Sequence, residues 1–149
     1  MPKYTFQPNQ YIAGWEETKW LVLSSFFYLT PAINALYKKQ YMNTYLLIIT
    51  SLVSANFWRK ATYSWRRNLD LVISKISFIL FFFQGIKHIT YRPYKIYGYT
   101  SLFICISFYY LSNKYYTKKN PMWYKYHFLF HMTTIYKIFL IINSIQPKK

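Results

Sequence analysis

The residues best equipped for chemistry sit close together near the C-terminus, where His-Phe-Leu-Phe-His places His127 and His131 four residues apart. On a helix that spacing puts both imidazoles on one face, roughly 6 Å apart along the axis, which suits two ligands of one zinc ion. The H-E-x-x-H pattern of zinc proteases differs by one decisive residue: Phe128 stands where a glutamate would act as general base. Two neutral histidines hydrogen-bonding across helices satisfy the same spacing, so the metal and packing readings both stay open. Asp70 and Ser54 are the other candidates. Asp70 could complete a metal site as a third ligand. Asp70 also has a structural role available in the first turn of a helix after Asn68, beside Arg66 and Arg67.

The elements that would position these residues read as membrane spans. Trp20 to Tyr37, Tyr41 to Trp58 and Ile96 to Asn113 are each uncharged over 18 residues, about the length that crosses a hydrocarbon core. Two longer apolar stretches, 69–89 and 122–143, are interrupted by Asp70 and Lys75 and by Lys125 and Lys137. These predict an all-α, polytopic transmembrane bundle of about five spans, with an irregular interfacial tail over 1–19 and a short tail over 144–149. Pro31 should kink the first span, because it removes one backbone hydrogen bond. Lys75 and Lys137 have stems long enough to snorkel or to face the bundle interior.

Of the 149 residues, 54% are hydrophobic and 24% aromatic, which excludes a disordered chain. A formal charge of +16 would suit nucleic acid or anionic lipid headgroups. The aromatic residues, however, cluster in uncharged runs with the charges expelled to the breaks, which is a bilayer's partition and speaks against a nucleic-acid groove. Phe, Tyr, Met, Ile, Asn and Lys supply 75 residues against 18 for Gly, Ala, Arg and Pro. That bias fits an AT-rich genome such as that of a large DNA virus, a protist or an organelle. The mean hydropathy of 0.00 understates membrane character, since the scale penalises 18 Tyr and 5 Trp whose rings favour interfaces. One cysteine, Cys105, allows no intramolecular disulfide and no thiolate cluster. No secretory leader is legible before Trp20, where Glu16 and Glu17 precede the first apolar run.

Five spans give the helix ends a parity. The end of the second, the start of the third and the start of the fifth share one face, so Ser54, Trp58, Asp70, His127 and His131 should lie at one level. His88 follows Asp70 by eighteen residues, roughly 27 Å at helical rise, and belongs to the opposite face. Counting Lys and Arg around the spans gives nine on the N-terminal face and seven on the other, which predicts a cytoplasmic N-terminus.

The order of a serine near the end of one helix, an aspartate at the start of the next and H-x-x-x-H in the last resembles the CREST superfamily. This is the group of alkaline ceramidases, progestin/adiponectin receptors and Per1-like membrane proteins. The resemblance covers roughly Ser51 to Ile142. It implies a metal-dependent hydrolase of lipid amides or esters, with His127 and His131 on zinc, Asp70 at the reacting water and Ser54 beside it. The family's S-x-x-x-H falls on Ser54-Ala-Asn-Phe-Trp58, so its metal-binding histidine is replaced by Trp58. Two of the family's seven helices also have no counterpart. A reduced or inactive relative therefore stands beside the enzyme, as does a non-enzymatic membrane component that forms a homo-oligomer or scaffolds another membrane protein.

Overall fold

In the computed structural model, which describes residues 10–145, uninterrupted backbone hydrogen bonding begins at Trp15. Six helical segments follow: α1 (Trp15–Phe26), α2 (Leu29–Tyr37), α3 (Tyr41–Arg59), α4 (Trp65–His88), α5 (Arg92–Thr117) and α6 (Met122–Ser144). Among the described residues there is no strand, only an isolated bridge between Tyr11 and Thr62. The expected tails lie outside the described residues over 1–9 and 146–149.

The helix limits correct the sequence reading in several places. Helix α1 starts at Trp15 rather than Trp20, with Glu16 and Glu17 in its first turn, where carboxylates meet the positive end of the helix dipole. Glu16 also pairs with Lys19 one turn on. The effect of Pro31 falls at Phe27–Tyr28: proline has no N–H to offer the Phe27 carbonyl, which accepts from Thr30 instead at 3.1 Å. The chain resumes at once as α2, so α1 and α2 form one rod of 23 residues, Trp15–Tyr37, broken in the middle. Helix α4 starts at Trp65 after Ser64, which makes Asp70 its sixth residue. The first-turn role for Asp70 is therefore excluded, because the dipole acts over the first turn alone.

Two helix ends use the same stop. At Lys39 the φ angle is +59° and at Lys119 it is +53°. The residue after each donates back five positions, Gln40 to Ala35 at 2.8 Å and Asn120 to Tyr115 at 3.0 Å, the Schellman arrangement. A lysine in the left-handed region carries a Cβ penalty that glycine lacks. Lys39→Gly and Lys119→Gly should each raise stability by about 1 kcal/mol, read as a higher thermal unfolding midpoint in detergent.

Helix α3 packs on both α1 and α2 and on α4, while α5 packs chiefly on α6, which also reaches α1, α2 and α4. Residues 10–13 cross the α3–α4 connection: Ile12 donates to the Ala61 carbonyl at 2.8 Å, and Tyr116 Oη donates to Ile12 O at 3.3 Å. The start of α1, the α3–α4 loop and the α5–α6 loop thus share one end, as the parity argument requires. At that end Leu21, Phe57, Trp58, Ala61 and Trp123 form one apolar cluster. A second joins Tyr28, Ala32, Leu47, Phe81, Ile138 and Ile141 further along the bundle.

The outside of the bundle is apolar. On α4 the exposed residues Val72, Ile76, Ile79, Phe83 and Ile86 recur at helical spacing, and α3 shows Met42, Tyr45, Ile49 and Leu52. The buried set includes Ser24, Ser25, Thr50, Ser51, Ser54, Asp70, Ser77, His131 and Lys137. Among the described residues two helices, Trp15–Tyr37 and Trp65–His88, are long and apolar enough to cross a membrane.

Candidate functional site

Small hydroxyl residues let the helices approach closely enough to build the interior. Ser25 and Ser54 Oγ atoms lie 3.1 Å apart, joining α1 to α3, and Ser51 Oγ donates to the Ser25 carbonyl at 2.9 Å. Thr50 and Ser77 hydroxyls meet at 2.6 Å and tie α3 to α4. On α4, Ser74 Oγ donates to Asp70 Oδ1 at 3.4 Å, and the Ser54 hydroxyl also faces that carboxyl.

Both histidines are oriented by hydroxyls. His131 Nδ1 lies 2.8 Å from Ser24 Oγ, and His127 Nδ1 lies 3.3 Å from Ser112 Oγ. Ser24 Oγ also lies within hydrogen-bond distance of the Leu21 carbonyl, at 3.0 Å. The two rings are 5.0 Å apart between centroids, and Tyr28 meets the edge of His131 at 5.8 Å.

Asp70, Ser54, His127 and His131 line one cavity of about 470 Å³, so the four residues singled out in the sequence do converge. Its floor is α6, its walls are α3 and α4 on one side and α5 on the other, and Leu47, Phe78, Ile106 and Phe130 make much of it apolar. Ile79 and Ile106, both on its lining, are also exposed on the outer surface. The cavity therefore opens sideways between α4 and α5.

His88 closes α4 at the far end and does not line the cavity. Trp58 stands against His127 at 4.9 Å and against Trp123 at 6.1 Å, with its indole N–H buried and without a hydrogen-bond acceptor. A catalytic zinc takes three protein ligands and a water. Here the histidine pair supplies two, and an indole, which offers no lone pair, fills the neighbouring position. Among the described residues no three His, Cys, Asp or Glu side chains come close enough together to hold a metal ion. The arrangement does not fit a complete zinc site.

Ser24 and Ser112, which orient the two rings, were not evident as site residues in the sequence. Ser24 carried one signal: with Ser25 it forms a small polar pair inside an uncharged run, the composition of a helix–helix contact.

Comparison with protein-family models, with curated proteins and with solved structures finds no match for this chain.

Proposed function

We propose that this chain is a multi-pass integral membrane protein of five spans that binds a single-chain or two-chain lipid amphiphile in the cavity between α4 and α5. The observation that carries the reading is an inside-out bundle with a lateral opening. Polar groups gather around the cavity, while every rod turns large apolar side chains outward. The core helix of a soluble protein is also apolar, but it is buried. The most apolar stretch of α4 has only 17% of its residues buried and that of Trp15–Tyr37 has 39%, which favours lipid as the solvent for those faces.

The lining suits a lipid amide or ester. Asp70 and Ser54 offer hydrogen-bonding partners for a hydroxyl, an amide or a carbonyl, the neutral imidazoles offer acceptors, and the apolar walls take the chains. The CREST-like order of Ser54, Asp70, His127 and His131 supports placing the chain near lipid amidases and esterases as a reduced form. With Trp58 at the position of the family's third histidine, the retained capability is recognition of the lipid rather than metal-assisted hydrolysis. Native mass spectrometry of the full chain released from mild detergent should show one bound lipid amphiphile. A protein released only as the bare chain, with a short-chain ceramide also failing to bind, would end the reading.

One observation favours a second reading, a zinc-dependent lipid hydrolase. Hydroxyls hold both histidines through Nδ1, the way second-shell groups orient zinc-bound imidazoles. That reading requires about one zinc per chain in protein prepared without chelator. It also requires a loss of that metal by orders of magnitude on His131→Ala. The five-span topology has its own test: cysteines at Lys60 and Asn120 should label from one side of the membrane, and cysteines at Lys38 and Thr90 from the other.

A further inference from the structure

The chain has only three acidic side chains, Glu16, Glu17 and Asp70, against 19 Lys and Arg. Most of the cations lie in or beside loops; Lys75, within α4, lines the cavity but is exposed, whereas Lys137, within α6, has only 6% of its surface exposed. Its Nζ is buried without any hydrogen-bond partner. The ammonium lies over the Phe78 ring, 4.6 Å from the centroid, a contact that eases its burial and supplies no anion. Two polar groups on the same cavity lining bond elsewhere: Cys105 Sγ and Thr134 Oγ1 lie 3.1 Å apart, and Thr134 donates to the Phe130 carbonyl at 2.8 Å. Glu16 is taken by Lys19, and Asp70 by its own serines, so among the described residues Lys137 has no carboxylate.

Lys137 also occupies a particular place. It lines the 470 Å³ cavity and, with Phe81, a second cavity of about 140 Å³ that continues towards the other end of the bundle. The second cavity is mostly apolar, walled by Phe82, Ile86, Ile89 and Ile141 with Gly98 opposite, and Lys95 and Tyr99 of α5 complete its lining. A Cβ added to Gly98 would meet only Ile89 Cδ1, at 3.9 Å, so this wall is bare backbone facing space. An unpartnered ammonium at the mouth of an apolar channel is the arrangement that receives a carboxylate carrying a hydrocarbon tail.

We infer that Lys137 anchors a second subsite of the cavity, where it binds the carboxylate of a long-chain fatty acid whose first methylenes run past Gly98 and leave between α4 and α5. A phospholipid phosphate suits the position less well, because Lys137 lies within the helix, three turns from the Lys125 end and two from the Ser144 end, away from headgroup level. The inference rests on the proposed lipid-binding cavity and adds to it a site that reads charge.

The test is equilibrium binding of radiolabelled palmitate and of hexadecanol, its uncharged counterpart, to the full chain in nanodiscs of neutral lipid. Wild-type protein should bind palmitate at least tenfold more tightly than hexadecanol. Lys137→Met should remove that preference, Lys137→Arg should keep it, and Gly98→Leu should weaken both ligands by filling the channel. Equal affinity of the wild type for acid and alcohol would overturn the inference even if Lys137→Met failed to fold. So would an unchanged palmitate affinity in a folded Lys137→Met protein. Displacement of palmitate by phosphatidylglycerol as readily as by unlabelled palmitate would assign the ammonium to a lipid phosphate and overturn the carboxylate assignment. If palmitate fails to bind while a short-chain ceramide still does, the subsite is lost and the lipid-binding reading stands; if neither binds, both fall.

Discussion

Ser74→Trp should abolish binding of a lipid amphiphile, lowering affinity at least 100-fold, while leaving the thermal unfolding midpoint within a few degrees of wild type. Ser74 lines the cavity one turn beyond Asp70, and the space beside it is already empty. An indole directed there displaces the ligand rather than a neighbouring side chain, so the overpacking penalty of about 1–3 kcal/mol is largely avoided. The hydrogen bond lost to Asp70 is long, at 3.4 Å, and the Ser54 hydroxyl remains beside the carboxyl. Binding that survives this substitution would place the amphiphile on the outer surface of the bundle, as ordinary annular lipid. Fluorescence titration with a labelled short-chain ceramide separates the outcomes.

The second large effect is on folding. Ser51→Leu should destabilise the bundle by about 3 kcal/mol or more, whereas Ser51→Ala should cost only about 1 kcal/mol. Ser51 has no exposed surface and donates to the Ser25 carbonyl at 2.9 Å, at the level where α1 and α3 meet through the Ser25–Ser54 contact. Alanine removes one hydrogen bond and keeps the approach. Leucine adds three carbons where two backbones are separated by little more than a hydroxyl, so the helices must part. Unfolding in mixed micelles with increasing sodium dodecyl sulfate measures both variants against wild type. Equal costs for the two would mean that close approach is not what holds α1 on α3.

The helical rods were legible because long apolar runs are broken by few charges, which gather mostly at the connections. The limits 41–58 and 122–143 fall within one residue of α3 and α6. Where the limits moved, the cause is a charged or polar residue that a helix tolerates. Arg92, Lys95 and Lys114 extend α5 past the uncharged run 96–113, since a long cationic stem reaches outward from a helical backbone. Trp65, Arg66 and Arg67 extend α4 backwards in the same way and move Asp70 away from the helix terminus.

The candidate site was legible as a level and not as a network. Helix parity puts Ser54, Asp70, His127 and His131 at one depth, and the cavity collects all four. Nothing in local spacing indicates that Ser24, 107 positions before His131, orients its ring, because that contact depends on how α1 and α6 pack. The gap between α4 and α5 is equally invisible in one dimension. It is a property of two helices that both pack on α6 and diverge from each other. Lys137 fell between these cases, since the choice between snorkelling and facing inward depends on where it lies on α6, and its burial resolves the matter in favour of the interior.

Photocrosslinking tests most directly the claim that an amphiphile enters the bundle between α4 and α5. The full chain in nanodiscs is irradiated with a diazirine-bearing ceramide, and the modified residues are mapped by peptide mass spectrometry. The account predicts saturable labelling, competed by unlabelled ceramide, at Phe78, Ile79, Ile106, Tyr109 and Phe130 around the cavity and its opening. Unsaturable labelling spread over the outward faces of α2 and α3, at Ile33, Leu36, Met42 and Tyr45 as strongly as at the cavity, would contradict it.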